Sequence, residues 1–313
     1  MLKYALHRIA LAVPTLLIVA VIVFVLMRAI PGDPAQLMLG DLENPQALAQ
    51  LRRDMGLDKP IAVQFMVWLK RLAAGDLGNS IAQQRPVLEM LVGGFGVTAC
   101  LVIPAVVIAS LLAIPLGMLA AWKQNTVADV AIVTAAIVFL SIPSFWLGLI
   151  FLLVFGLKLD LLPVIGYVSP LENLAEGLRY LIMPVTALAL IETGVLIRMA
   201  RSSTIEVLRL EYITHARAKG LAELAVAGRH ALKNSMAPTW TMIGLTLGSL
   251  LGGAVVTETV FTLPGIGRLL VDSIFARDYP VVQGCLLFVT LIYVLVNLVV
   301  DLCYPLFDPR VRL

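Results

Sequence analysis

Charged residues are scarce in this chain. Asp, Glu, Lys and Arg make up 14% of its 313 residues, whereas hydrophobic residues make up 60% and the mean hydropathy is +0.96. Soluble globular domains carry roughly 25% charged residues, so this composition excludes an ordinary soluble protein. The net charge of +3 is too small to indicate nucleic acid as a partner, and none is expected. We expect a polytopic membrane protein whose main surroundings are the lipid bilayer.

Patterns for catalysis and cofactor binding are also missing. The sequence has no GxxxxGK[ST] loop that could cradle the phosphates of ATP. No Ser/His/Asp or Cys/His arrangement is placed for nucleophilic chemistry, and no cluster of metal ligands is present. The three histidines, His7, His215 and His230, fall in segments expected on the inner side of the membrane. We therefore expect a non-catalytic chain that binds no cofactor or metal.

Cysteine is rare as well. Cys100, Cys285 and Cys303 all lie in apolar runs, and their number is odd. Their spacing is neither paired nor typical of a metal site. We expect them to be small buried hydrophobic residues.

Six apolar runs hold most of the hydrophobic residues. They cover residues 9–27, 97–122, 130–157, 180–199, 236–256 and 282–304, and each is long enough to cross a hydrocarbon core about 30 Å thick. The segments predicted on the inner side carry twelve Lys or Arg, against four in the short outer loops 158–179 and 258–283. This bias predicts an all-α fold, with one transmembrane domain over residues 1–313, six helices and both termini cytoplasmic. A cleaved signal peptide is the alternative for the first run, but the run exceeds a usual signal core and lacks a small-x-small cleavage site.

Residues 31–96 form a polar segment between the first two runs, and we place it on the periplasmic or extracellular side. A helix is predicted to open at Asn44-Pro45, and a second helix to cover residues 59–72. The segment contains several Lys and Arg. Because it is longer than about sixty residues, it can be translocated regardless of that charge.

The third run contains Ser141-Ile142-Pro143-Ser144 near its middle. A proline removes a backbone hydrogen bond, and neighbouring hydroxyls can satisfy the freed carbonyls, which predicts a kinked or interrupted helix. A straight, tilted helix is the alternative.

Glycines recur at four-residue steps in the fifth run, at Gly244, Gly248 and Gly252. Such a stripe lets another helix approach closely. It could also leave room along a solute path.

Glu192 is the clearest acidic residue inside a predicted span. An ionised carboxylate there is costly, so it should face the bundle interior, water or a partner charge. Three interpretations remain open: a structural pair with Arg198, a protonated side chain, or a path residue that meets the ammonium group of a solute. Ser141, Ser249 and Asn297 are further polar candidates for the translocation path.

A basic polar segment separates the fourth and fifth runs. Seven Lys or Arg oppose three Glu over residues 198–238, which predicts a cytoplasmic loop, residues 201–235, between spans four and five. Ser203 or Thr204 is predicted to cap a helix that continues to Lys219, and Gly220 to end it. A second helical pattern covers residues 222–235. The projecting helix-turn-helix either fixes topology only or docks a soluble partner.

This segment resembles the cytoplasmic loop of ABC importer permeases of the dipeptide, oligopeptide and nickel branch. The resemblance lies in Glu211-Tyr212, Ala216-Arg217-Ala218-Lys219-Gly220, His230-Ala231-Leu232-Lys233-Asn234 and Pro238. The general importer pattern has Glu-Ala-Ala where this chain has Thr214-His215-Ala216. That departure, like the long run from Gly220 to Pro238, is expected of this branch. The outer motifs PGDP, MGLDKPIAVQF, GDLGNS and ETVFTLPGIGRLLVDSIFARDYPVVQG are similar to the same branch.

The resemblance implies that the first helix of the loop fits a cleft on an ATPase subunit. The residues implied in docking are Glu211, Tyr212, Ala216, Arg217, Lys219 and Gly220, with Ala216 and Gly220 small so that the helix can enter. On the outer side it implies that Pro264, Gly265, Arg268 and Asp278 lie near the contact with a solute-binding protein. A short helix over residues 266–275 is expected there.

The resemblance also implies a function and partners. The chain would be the permease subunit of an ATP-driven importer of short peptides in the bacterial inner membrane, forming half of the path. Its partners would be a second related permease in a heterodimer, two ATPase subunits that bind ATP and Mg²⁺, and an external solute-binding protein. Nickel-chelate, metallophore or glutathione-like solutes are alternatives for the same role. A self-contained secondary transporter or a membrane receptor is the alternative of another class, although we find no internal repeat and few intramembrane charges.

Overall fold

The computed structural model describes residues 2–29, 45–54 and 57–307. Helices dominate these residues, and the described part contains only an isolated β-bridge, between Asn79 and Pro86. In chain order the helices are α1 (Leu2–Ala29), α2 (Pro45–Asp54), α3 (Ile61–Ala73), α4 (Val87–Trp122), α5 (Val127–Ser141), α6 (Ser144–Phe151), α7 (Leu174–Leu208), α8 (Glu211–Ala218), α9 (Glu223–Ala225), α10 (Leu232–Gly253), α11 (Val255–Val260), α12 (Ile266–Phe275) and α13 (Tyr279–Phe307). Wider π-type turns continue α6 over Leu152–Lys158 and α9 over Val226–Ala231. The all-α class is confirmed. The PGDP motif, the start of MGLDKP and the tail 308–313 lie outside the described residues.

Four helices in the described ranges are long and apolar enough to cross a membrane. They are Ile9–Ala29, Val87–Trp122, Leu174–Leu208 and Tyr279–Tyr304, and the bent pair Val127–Ser141 and Ser144–Lys158 makes a fifth if it is one span. The predicted fifth run is helical as α10, but its glycines, serines and threonines make it less apolar, and it is not among these helices. The six-span count therefore stays a prediction.

The third run is bent by 91° between α5 and α6. Pro143 precedes the first residue of α6, and the Ser141 hydroxyl donates a hydrogen bond to the Ile137 carbonyl, 2.8 Å away. The predicted interruption is confirmed, and the straight tilted helix is wrong. The bend is explained by the amide hydrogen that proline lacks.

Two helices extend well beyond the apolar runs that predicted them. α4 begins at Val87, directly after Pro86, whereas the run begins at 97. α7 begins after Asn173, whose side chain accepts a hydrogen bond from the Glu176 amide, and ends at Leu208. The predicted cap at Ser203 or Thr204 is therefore wrong, because both residues lie inside α7. The Ser203 hydroxyl instead donates to the Met199 carbonyl one turn earlier, at 2.9 Å, which lets a hydroxyl residue continue a helix.

Small residues let the long helices pack closely. α4 and α7 form the most extensive helix contact of the described residues, and a Cβ atom added at Gly117 would lie 2.7 Å from the Ala200 Cβ. α10 packs on α13 through the glycine stripe. A Cβ at Gly244 would lie 2.3 Å from Val300, and one at Gly248 would lie 2.7 Å from the Tyr293 ring. The packing interpretation of the stripe is confirmed for these two glycines.

The main core lies where α4, α7 and α10 meet the outer loop. It contains Leu101, Val102, Ala105, Leu181, Met183, Leu188, Leu250, Phe261 and Leu263. All three cysteines are free: Cys285 is buried, as predicted, and Cys100 and Cys303 are half-buried.

Candidate functional sites at the two ends of the helix bundle

The segment between α7 and α10, residues 209–231, projects from one end of the bundle, and we call it the docking segment. α7 ends where Leu210 adopts an extended conformation, and α8 follows at once. Gly220 then reverses the chain with φ at +79°, a backbone conformation that L side chains rarely adopt. The predicted stop at Gly220 is thus explained. α9 and its wide turns lead back into α10 without a break.

The inner face of the docking segment is a small apolar core. Val207, Ile213, Ala216, Val226 and Ala231 form it, and Trp122 at the end of α4 packs against it. Ala216 is only 7% exposed. The prediction that its side chain faces a partner is therefore wrong, since its small size is required by packing within the chain.

Tyr212 joins the two arms of the docking segment. Its hydroxyl donates a hydrogen bond to the His230 carbonyl at 3.3 Å and accepts one from the Asn234 side-chain amide at 2.6 Å. Because α8 and the start of α10 are connected in this way, the segment has a defined shape before any partner binds.

Arg217 also makes its contacts within the chain. Its guanidinium pairs with Glu223 across the Gly220 turn, with 3.0 Å between Nε and Oε1, and lies 5.4 Å from the Trp122 ring centroid. The predicted docking residues that are exposed are Glu211, Arg217, Lys219 and Gly220. Beside them Leu210, Leu221 and Leu224 are exposed hydrophobic side chains. The outer face thus combines charges with apolar side chains, which is compatible with the apolar core and polar rim of a protein interface.

An ion pair that sequence reasoning missed anchors the base of this segment. Asp129, at the start of α5, is buried, and both of its oxygens accept hydrogen bonds from Arg201, at 2.7 and 2.8 Å. Asp129 also accepts a bond from the Asn125 amide in the α4–α5 turn. The only signal in the sequence was an acidic residue at the start of an apolar run and an unmatched arginine in the basic segment.

Within the described residues none of the four predicted path residues is hydrogen-bonded to another. Ser141 and Ser249 are exposed, and their hydroxyls donate to carbonyls of their own helices. The Asn297 amide donates to the Tyr293 carbonyl at 2.9 Å. Glu192 is half-buried in α7, and within the described chain it has no hydrogen bond or ion pair. The structure therefore does not form the suggested pair between Glu192 and Arg198.

At the opposite end, Glu258 organises the outer loop, and the sequence analysis did not single it out. Its buried carboxylate accepts hydrogen bonds from the Thr98 hydroxyl and from the Arg268 amide, the latter at 3.0 Å. The Thr98 hydroxyl in turn accepts one from the Ile266 amide. The first turn of α12 is thereby capped by two side chains. Burial outweighs these bonds and raises the pKa of the Glu258 carboxyl.

The predicted outer-loop residues divide into exposed and buried ones. Pro264 is exposed and Arg268 is half-buried, with its guanidinium 3.6 Å from Asp272. Gly265 is buried, since a Cβ there would lie 2.2 Å from the Glu258 carboxyl carbon. The predicted short helix over residues 266–275 is confirmed as α12.

Asp278 is also buried. It accepts hydrogen bonds from the Ser80 hydroxyl and from the amides of Ile81 and Ala82, both at 3.1 Å. Its carboxylate therefore ties the outer segment to the last loop. The buried Asp278 and Gly265 shape this loop from within, and their place near a binding-protein contact stays a prediction. Among the described residues no group of three or more His, Cys, Asp or Glu side chains could hold a metal ion.

Two family profiles together match almost the whole chain. The profile described as "Binding-protein-dependent transport system inner membrane component" matches residues 113–313, and the profile of its N-terminal part matches residues 1–102. The chain belongs to this family of inner membrane components. It is therefore a multi-pass membrane protein and an ABC importer permease, as the resemblance implied.

Several permeases of this family are similar over their full length. A dipeptide transport system permease of Alkalihalophilus pseudofirmus is 39% identical, with 100% of each chain covered. A putative peptide transport system permease of Brucella abortus is 41% identical, with 98% of each covered. A glutathione transport system permease of Salmonella choleraesuis is 40% identical over 100% of this chain and 99% of the relative.

A solved structure shows the same fold. The inward-facing MetNI methionine ABC transporter aligns with a TM-score of 0.58 at 15% identity, over 71% of this chain and 97% of the other. The permease described here thus shares its helical architecture with an ABC transporter membrane subunit.

Proposed function

We propose that this chain is the permease subunit of an ATP-driven, binding-protein-dependent importer of short peptides and forms half of its translocation path. The names of the similar dipeptide and peptide permeases support peptides as the solute. The structural observation that carries the proposal is the docking segment. Its inner face is fixed by a core and by Tyr212, whereas its outer face exposes Glu211, Lys219 and Leu224. Such a preformed surface suits a soluble partner that must transmit movement to the helices.

The partners and the membrane orientation follow from this role. Two ATPase subunits, which bind ATP and Mg²⁺, dock on the cytoplasmic end. A second related permease completes the path, and an external solute-binding protein contacts the outer loop near Pro264 and Arg268. The chain crosses the bacterial inner membrane six times, α10 being one of the spans, with both termini in the cytoplasm.

Cysteine labelling tests the orientation. Lys219→Cys and Arg268→Cys are placed separately in a background whose native cysteines are replaced. With a membrane-impermeant maleimide, residue 268 should be labelled in intact spheroplasts, and residue 219 only after the membrane is opened. The reverse pattern would overturn both the orientation and the docking assignment.

Reconstitution tests the activity. The permease is purified with a second related permease and the ATPase subunits, placed in liposomes and supplied with the solute-binding protein. We expect ATP-dependent uptake of labelled di- and tripeptides, and none when ATP is withheld. Uptake without any ATPase subunit would indicate a self-contained transporter instead.

Glutathione is the second candidate solute, because the Salmonella relative is named for it. Uptake of labelled glutathione with no uptake of ordinary peptides would identify that alternative. Nickel chelates and metallophores are assayed in the same liposomes.

A further inference from the structure

A groove opens between α5, α7 and α10, beside the break in the third span. Its volume is about 400 Å³, within the range of small-molecule sites. It is lined by Leu140, Val195, Arg198, Met199, Ser202 and Met242. Leu140 lies one residue before the end of α5, so the groove lies where the polypeptide of the third span turns by 91°.

One charged side chain lines this groove, and an opposite charge lies one helical turn away on α7. Arg198 lines the groove, and Glu192 lies on the same side of α7 as Val195 and Met199, three and seven residues further on. Neither charged side chain has a hydrogen bond or ion pair with any other described residue. Ionisable side chains inside a membrane segment are costly and mark solute pathways. Within the described residues these two charges have no partner, as is expected of groups that meet a solute.

The axial separation of the two residues is comparable to the length of a short peptide. Six residues of α-helix separate Glu192 from Arg198, a rise of about 9 Å between their backbone positions. Extended polypeptide spans at most about 3.3–3.6 Å per residue, so the charged termini of a di- or tripeptide lie roughly 7–10 Å apart. An anionic lipid would satisfy Arg198, but its phosphate would be repelled by Glu192. A zwitterion satisfies both charges.

We propose that this groove binds the transported peptide by its two termini, the ammonium group at Glu192 and the carboxylate at Arg198. The inference rests on the proposed import of peptides and adds how the permease recognises them. Between the charges Met199 and Met242 offer flexible, polarisable surfaces, which adapt to side chains of different shape. The two charges bind the termini, which are the same in every peptide, and the methionines contact the side chains, which vary. One groove can therefore pass many peptide sequences.

The test pairs two variants with blocked peptides. Uptake of one labelled dipeptide is compared with its N-acetyl and C-amide forms, for wild type, Glu192→Gln and Arg198→Gln. For each peptide the uptake rate of the variant is divided by the uptake rate of wild type, so that the preference of the binding protein cancels. Glu192→Gln should lower uptake of the free peptide about tenfold, the effect of about 1.4 kcal/mol. The N-acetyl form has no ammonium group for Glu192, so its uptake should already be low in wild type, and Glu192→Gln should leave it unchanged.

Arg198→Gln should show the same pattern with the C-amide form, and Arg198→Lys should keep most of the selectivity. Glu206→Gln, an exposed change further along α7, is the matched control and should leave every ratio unchanged. A second readout does not depend on transport of blocked peptides. A dipeptide that carries a photoreactive phenylalanine should cross-link to Met199 or Met242 during turnover.

The outcomes separate this inference from the proposed function. If wild type imports no peptide, the proposed function fails. Wild type could instead import peptides while the variants lower uptake of the free and blocked forms by the same factor. The groove would then not recognise the termini, and only this inference would be overturned. Cross-links confined to other helices would overturn it as well.

Discussion

Arg201 holds Asp129 with two hydrogen bonds across 72 residues of sequence. The pair joins α7, which continues into the docking segment, to the start of α5. Asp129 is almost fully buried, and the Arg201 side chain is about one quarter exposed. A buried carboxylate that accepts two hydrogen bonds from one guanidinium fixes the position of one helix relative to another.

Removing this pair should destabilise the subunit. Asp129→Asn leaves the guanidinium without its charge partner, and we expect the free energy of unfolding in detergent to fall by about 3 kcal/mol, the low end for a broken buried pair. Arg201→Lys keeps the charge but loses the second bond, so a smaller loss of about 1 kcal/mol is expected. Glu89→Gln breaks the exposed pair with Arg85 and should cost less than about 0.5 kcal/mol. Equal losses for Asp129→Asn and Glu89→Gln would contradict this role.

Much of the fold could be predicted from the sequence because it depends on local composition. Apolar runs give the spans, Pro143 gives the break in the third span, and Gly220 gives the turn of the docking segment. Each of these depends on a single residue or on a single contiguous run. The resemblance to importer permeases added the family, which the profiles confirm.

What the sequence could not predict depends on contacts between distant residues. Ser203 has the chemistry of a helix cap, but inside a long helix its hydroxyl bonds to the preceding turn instead. Ala216 was predicted to be an accessible small residue, but it packs in one core with Val226 and Ala231. The partners of Glu258 and Asp278 lie 160 and about 200 residues away, and nothing in a local pattern indicates such pairs.

The docking assignment predicts opposite results for two neighbouring alanines. Ala218 is exposed on α8, so Ala218→Trp should leave the subunit folded and inserted but abolish co-purification of the ATPase and transport. Ala216 is buried, so Ala216→Trp should overpack the small core and lower the yield of folded subunit. Size-exclusion profiles and ATPase pull-down distinguish the two results. Normal transport by Ala218→Trp would remove α8 from the docking surface.

The glycine stripe predicts a second contrast. A Cβ atom in Gly244→Ala would lie 2.3 Å from Val300, so α10 and α13 must separate, and we expect a loss of about 1–3 kcal/mol in the free energy of unfolding. Gly93 lies in α4 with nothing within 4 Å of its added Cβ. Gly93→Ala should therefore stabilise by up to about 1 kcal/mol through helix propensity. Val300→Ala should restore part of the loss in the Gly244→Ala background; no restoration would assign the cost to another contact.

Glu258 predicts how the stability of the outer loop depends on pH. Burial raises the pKa of its carboxyl in the folded protein above the usual value, so the folded state binds this proton more tightly than the unfolded state. The stabilisation from this proton is fully present below the unfolded pKa and is lost as the pH rises through the folded pKa. Each pH unit between the two pKa values corresponds to about 1.4 kcal/mol.

Glu258→Gln removes this titration, so the free energy of unfolding should decline less steeply than in wild type as the pH rises above the normal carboxyl range. Unfolding by sodium dodecyl sulfate in mixed micelles, measured at a series of pH values from about 4.5 upward, gives the two curves. Glu176→Gln, at an exposed glutamate near the start of α7, is the control and should leave the shape of the wild-type curve unchanged. Because Thr98 donates to the carboxylate, Thr98→Val should raise the Glu258 pKa further and extend the decline to higher pH. Parallel curves for wild type and Glu258→Gln would show that Glu258 does not titrate differently in the folded state.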